Sequence, residues 1–314
     1  NDRTEQKERP YLLLAAAGNL TIGCVGLVVS VISSSQAIML DGLFNLTYFI
    51  VGLFTLKVAR LVQKGDDERF PHGYAFFEPL VNGIKGVLVL GISVMALAGS
   101  VQALFEGGRE IAAGLAVAYG LFATVTCGVM ALITHRGRVK TQSPLVQADA
   151  ENWLVNTAIS AAVLVAFAAM YLIRDTSLDF LVPYVDPIVV LLVVLISISV
   201  PVRMAWQALM ELLNRTPSPE IVDEVRKIIT ESTSGLPVEQ LFVRVVQPGR
   251  TRMVLVHVVL PSDYAPGPLT SLDALRMGTL ERLQAAHLAT ILDMVFTADP
   301  KWGAPLSEST HGAV

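Results

Sequence analysis

Six stretches of this sequence stay apolar over the ~20 residues that a helix needs to cross the hydrocarbon core of a bilayer. They fall near residues 11–33, 36–62, 76–105, 111–133, 149–173 and 183–213. Hydrocarbon offers no hydrogen-bond partners to the backbone, so runs of this length and composition are expected as six transmembrane helices. Composition agrees, because 53% hydrophobic and only 16% charged residues are outside the range of an ordinary soluble domain. The charge is unevenly spread: residues 214–314 have the charge density of a soluble domain. The expected organisation is therefore a short tail at 1–10, a six-helix membrane domain at 11–213, a second domain at 214–302 and a flexible tail at 303–314.

The loops between the runs set an orientation. Lys7, Arg9, Lys64, Arg69, Arg136, Arg138 and Lys140 fall on one side, and Arg109 and Arg174 on the other. By the positive-inside rule both termini are expected in the cytoplasm and the chain in the inner, cytoplasmic membrane. The few residues around 33–36 make the first two spans an antiparallel hairpin. The charged start NDRTEQKERP leads into a span too long for a signal-peptide core, so it reads as a flanking segment.

Beyond the sixth span the pattern becomes alternating. Ser218-Pro219-Glu220 is a helix start, with Ser as cap and Pro in the first turn, and the helix is expected to reach about Ser232. Residues 238–247 and 252–260 read as two strands around a Pro248-Gly249 turn. A helix over 271–286 and a strand over 289–297 complete an αββαβ order, which suits a compact ferredoxin-like sheet.

Within the apolar runs, polar residues carry the functional signal. Asp41 lies in the second span with Asn45 one turn later. A carboxylate at a helix centre costs on the order of 2.5 to 3.5 kcal/mol to insert, so it is retained for a purpose. The two side chains are about 40° apart on one helical face. The fifth span opens ADAENWLVNTAIS, and there Asp149, Asn152 and Asn156 share one stripe, while Glu151 points to the opposite side. Together these are five oxygen donors near one bilayer depth, which is what a hard or borderline cation requires.

Other function classes find little support. A net charge of -4 argues against nucleic acid as a partner. Cys24 and Cys127 lie inside apolar runs without metal spacing, as helix-packing or lipid-buried thiols. There is no Gly-rich phosphate loop, nucleophile elbow or His-rich zinc-protease motif, so an enzyme is not expected.

These residues resemble the cation diffusion facilitators over nearly the whole chain. The resemblance rests on Asp41-x3-Asn45, where the family has Asp-x3-Asp, and on Asn152-x3-Asn156, where it has His-x3-Asp or Asp-x3-Asp. It rests further on Phe70-Pro71-His72-Gly73-Tyr74 followed by Glu78-Pro79-Leu80, on Asp186 opening the sixth span, and on Leu212-Leu213-Asn214-Arg215 closing it. It implies a homodimer in the lipid bilayer that exports a divalent cation by alternating access in exchange for protons. No cofactor is implied beyond the transported cation. The expected metal site is Asp41, Asn45, Asn152 and Asn156, with Asp149 joining directly or through water as an auxiliary anion.

The departures from the family shape the chemistry. Three of the four matching positions are asparagine, leaving one formal negative charge per protomer against a dication. Amide and carboxylate oxygen favours manganese, magnesium or ferrous iron over zinc, which prefers imidazole. The alternative is a transport-impaired member acting as a membrane scaffold or partner subunit.

Several secondary expectations follow. The resemblance puts peripheral metal near Asp66-Asp67-Glu68 and His72, read here as a solvated acidic loop that gathers cations. It also puts regulatory ligands at His257 and Asp299, with Gln240 and Phe296 in place of others. Tyr74 and Asn214 stand where relatives tie their dimer with a Lys-Asp pair. Glu78, Asn82 and Lys85 form a packing or snorkelling set on the third span, with a Lys85–Asp186 pairing open.

Overall fold

The computed structural model of the protein describes residues 2–64, 66–141, 144–265 and 267–304. Each expected span is helical: α1 (Asp2–Ser33), α2 (Gln36–Gln63), α3 (Phe77–Phe105), α4 (Ala113–Thr141) and α5 (Pro144–Ile173), followed by a sixth span in two pieces, α6 (Val182–Ser197) and α7 (Ser199–Leu212). Six helical spans are thus long and apolar enough to cross a membrane. One boundary differs from expectation. The segment expected as an N-terminal tail is helical from Asp2 onward, with Pro10 inside α1. The expected tail at 303–314 lies, from 305 on, outside the described residues.

The break in the sixth span has a local cause. Pro201 has no N–H to give the carbonyl four residues earlier, that of Ser197, and its ring crowds that carbonyl. The helix is interrupted at Ile198, and the Ser197 hydroxyl bonds back to the Val193 carbonyl at 2.7 Å. Hydrophobic periodicity carries no trace of this interruption.

Two compact units divide the chain: Asn1–Lys57 with Val81–Trp206, and Val58–Leu80 with Gln207–Val314. In the first, α4 packs along α5 and α1, and α5 along α6. Ile22, Ile38, Trp153, Phe167, Met170 and Val190 lie in its buried core. Outside that core the helices present aliphatic side chains: Met95, Leu172 and Ile196 are each more than 70% exposed. In the most hydrophobic window of the fifth span only 17% of residues are buried. At about 0.8 kcal/mol per CH₂ left in water, such a surface requires lipid.

The hairpin of α1 and α2 is closed by a buried carboxylate from α6. Asp186, fully buried, accepts hydrogen bonds from the Ser35 hydroxyl at 2.6 Å and from the first two amides of α2, Gln36 at 3.0 Å and Ala37 at 3.2 Å. An anion at a helix N-terminus satisfies orphan N–H groups and meets the positive end of the dipole. Arg109 stands 3.7 Å from the same carboxylate and donates to Gln36 Oε1 at 2.7 Å. The Lys85–Asp186 pairing left open by sequence is therefore not made; the Lys85 ammonium sits over the ring of Tyr48, 4.5 Å from its centre.

The second unit contains α8 (Pro219–Ser232), β1 (Gln240–Val246), β2 (Arg252–Val259), α9 (Leu269–Ala286) and β3 (Thr290–Thr297), in the expected αββαβ order. The sheet order is β1-β2-β3, with β1 and β2 antiparallel and β2 and β3 parallel. Val254, Val256 and Val258 alternate onto the face that meets Val225, Ile229 and Leu283 of the two helices. The β1–β2 turn needs glycine twice over at Gly249. Its φ is +58°, and a side chain there would run into Glu78. Glu78 instead receives the Arg250 amide at 2.9 Å and pairs with the Arg250 guanidinium.

Candidate functional site

The first unit encloses a cavity of about 290 Å³ whose lining includes Asp41, Asn45 and Tyr48 of α2, Tyr119 of α4, and Asn152 and Asn156 of α5. The rest of its wall is mostly apolar, with Ser197 and Pro201 at the break in the sixth span among the lining residues. Four of the five residues expected from sequence thus face one space. Asp149 does not line it: one turn before Asn152 along α5, it lies in the field of Lys85, the neighbouring charge that acts on it.

The carboxylate of Asp41 is held on both sides. Asn45 Nδ2 donates to Oδ1 at 3.0 Å and to the Asp41 backbone carbonyl at 2.8 Å. The Tyr119 hydroxyl donates to Oδ2 at 2.6 Å. Tyr119 is absent from the sequence-based site because a lone tyrosine in an apolar run carries no periodic or spacing signal.

Asn45 is only 3% exposed, and its Oδ1 has no hydrogen-bond partner. The orientation of this amide is chemically determined, since the Asp41 atoms beside it are acceptors and only the NH₂ end can face them. The remaining oxygen is a buried acceptor without a donor, at a cost of about 1 to 3 kcal/mol. Among the described residues no group of three or more His, Cys, Asp or Glu side chains could hold a metal; the polar groups lining the cavity are one carboxylate with amide, phenol and hydroxyl groups.

The secondary candidates resolve differently. Asp67 accepts from the amides of Arg69 and Phe70, both at 3.0 Å, from the Tyr74 hydroxyl at 2.7 Å, and from Lys64 at 3.2 Å. The Tyr74 bond, foremost among these, pulls its carboxyl down to about 2. Asp67 therefore organises its loop, with Tyr74 tied to it, instead of acting as a free cation collector. Asp299 caps a short 3₁₀ turn by accepting from the Lys301 amide at 3.1 Å, and pairs with Lys301 at 2.7 Å. His257 lies in β2 with its Nδ1 buried and unpartnered, and burial together with the Arg244 charge lowers its basicity. Asn214, φ +58°, is the left-handed residue that ends α7. The amides of Arg215 and Asn214 then bond the carbonyls of Met210 and Glu211, a Schellman closure.

Six spans long and apolar enough to cross a membrane, with a carboxylate and amides set into an otherwise apolar cavity among them, are the build of a membrane transporter. Residues 12–213 match the cation efflux transmembrane domain, and the chain belongs to that family, the cation diffusion facilitators, whose members are transporters and not enzymes. It is similar to an uncharacterized transporter of Methanocaldococcus jannaschii, 21% identical over 90% of this chain and 96% of the relative. The manganese efflux system protein MneP of Bacillus subtilis is 19% identical over 82% of this chain and 86% of its own. MneS, a second manganese efflux system protein of the same organism, is 26% identical over 31% of this chain and 34% of its own.

Proposed function

We infer that this chain exports a hard divalent cation, manganese foremost, through the cavity formed by Asp41, Asn45, Asn152 and Asn156. The observation that carries the reading is the buried, unpartnered Oδ1 of Asn45 beside the Asp41 carboxylate. Oxygen donors without imidazole or thiolate favour manganese, magnesium or ferrous iron over zinc. Two relatives named for manganese efflux point the same way. The loop charges support a chain with both termini in the cytoplasm, and the family resemblance supports a homodimer in the cytoplasmic membrane. Alternating access follows from the helices that carry the site rocking against the rest of the bundle, with protons as counter-ion.

Asp149 is assigned to the cytoplasmic end of α5 with Lys85, outside the cation's coordination. That leaves Asp41 as the cavity's one carboxylate, for charge and for proton exchange alike. A second reading, a membrane scaffold that no longer transports, is favoured by the two hydrogen bonds that already occupy Asp41.

Uptake into proteoliposomes across manganese, iron(II), zinc, cobalt, magnesium and calcium separates the two. Saturable manganese flux that falls to background in Asp41→Asn is the expected result. A folded dimer with no flux for any cation establishes the scaffold.

A further inference from the structure

We propose that Tyr119 is a positioning residue of the cation site: its hydroxyl, reaching from α4 to Asp41 on α2, fixes the carboxylate in the orientation that receives the cation. The inference rests on the transport reading above for its consequences, and on geometry for its substance. Tyr119 is 5% exposed and its hydroxyl lies 2.6 Å from Asp41 Oδ2, the short distance of a hydrogen bond to an ionised acceptor. The opposite oxygen is held by Asn45, so the plane of the carboxylate is defined from two helices.

Space for the hydroxyl is provided by α1. A side-chain carbon at Gly26 would stand 2.7 Å from Tyr119 Oη and 3.0 Å from the Gly42 α-carbon. The glycine therefore serves two close approaches, that of the phenol and that of α2, and three helices meet at this one bond. A buried tyrosine needs an acceptor, and packing alone would be met by any carbonyl. Here the acceptor is the single carboxylate of the cavity, which places the bond in the site.

A carboxylate with both oxygens restrained has lost its rotational freedom before the cation arrives, so binding orders less. Tyr119→Phe keeps the ring and removes only the donor. Its expected effect is a half-saturating manganese concentration raised about ten-fold with maximal flux within two-fold of the parent, the size of one charged hydrogen bond. Gly26→Ala, which crowds both the hydroxyl and α2 at Gly42 beside Asp41, raises it at least as much.

Unchanged half-saturation in Tyr119→Phe overturns the proposal. A cation-free measurement keeps it separate from the transport reading. In tyrosine Raman spectra, the parent minus Tyr119→Phe difference isolates this residue among the 7 tyrosines. It should report a strong donor in the parent and a weaker one in Asp41→Leu. A Tyr119 signal indifferent to Asp41→Leu overturns the inference whether or not manganese moves, whereas absent flux in the parent overturns the transport reading alone.

Discussion

At the scale of single residues, the site is defined as much by missing charge as by the groups present. Asp41 offers one negative charge to a dication, and Asn45, Asn152 and Asn156 add oxygen without charge. Coulombic attraction between a dication and one carboxylate at ~4 Å amounts to about 8 kcal/mol at an effective dielectric of 20, most of it offset by desolvating the added anion. Asn156→Asp, which supplies a second carboxylate facing the same cavity, should therefore tighten manganese binding about ten-fold, read by calorimetric titration in detergent. A weaker or unchanged affinity would mean that Asn156 does not share the cation with Asp41. The four cavity residues were legible in the sequence because polar side chains at i and i+4 in an apolar helix stand out against their background. Tyr119 was not, since its contacts are with Gly26 and Asp41 of other helices, and helical phase places Asp149 on the stripe of Asn152 while saying nothing of a lysine on α3.

Elements owe their ends and joints to a few polar atoms that periodicity cannot see. The N-terminus of α2, five residues before Asp41, is organised by the Asp186 carboxylate, and Arg109 balances its charge. Removing one member of a buried ion pair costs about 3 to 5 kcal/mol, because the other is left uncompensated. Arg109 is 30% exposed at its side chain, so the lower end of that range applies. Asp186→Ala should destabilise the chain by about 3 kcal/mol, seen as a thermal midpoint several degrees lower in detergent, whereas Lys85→Met should leave that midpoint near the parent's. Equal losses in the two variants would return Lys85 to the network. The spans themselves were legible from hydropathy; the interruption at Ile198 was not, because the residues on both sides of Pro201 are apolar and hydropathy does not register a missing N–H.

For the whole molecule, the consequence of one cavity carboxylate is electrical. If Asp41 is the group that exchanges a proton for the cation, each cycle carries two positive charges one way and at most one the other. Transport then moves at least one net charge across the membrane. A net elementary charge is worth about 2.3 kcal/mol per 100 mV, which corresponds to about a fifty-fold change in the equilibrium accumulation ratio. Proteoliposomes clamped with valinomycin and potassium gradients should accordingly accumulate manganese with a logarithm of the accumulation ratio that rises in proportion to the imposed potential, even with equal pH on both sides. Supplying the second carboxylate through Asn156→Asp should reduce that dependence, because a second exchangeable proton balances the second charge. Flux in the parent that ignores a 100 mV step would require two protons per cation, and with them a titrating group other than Asp41 on the transport path.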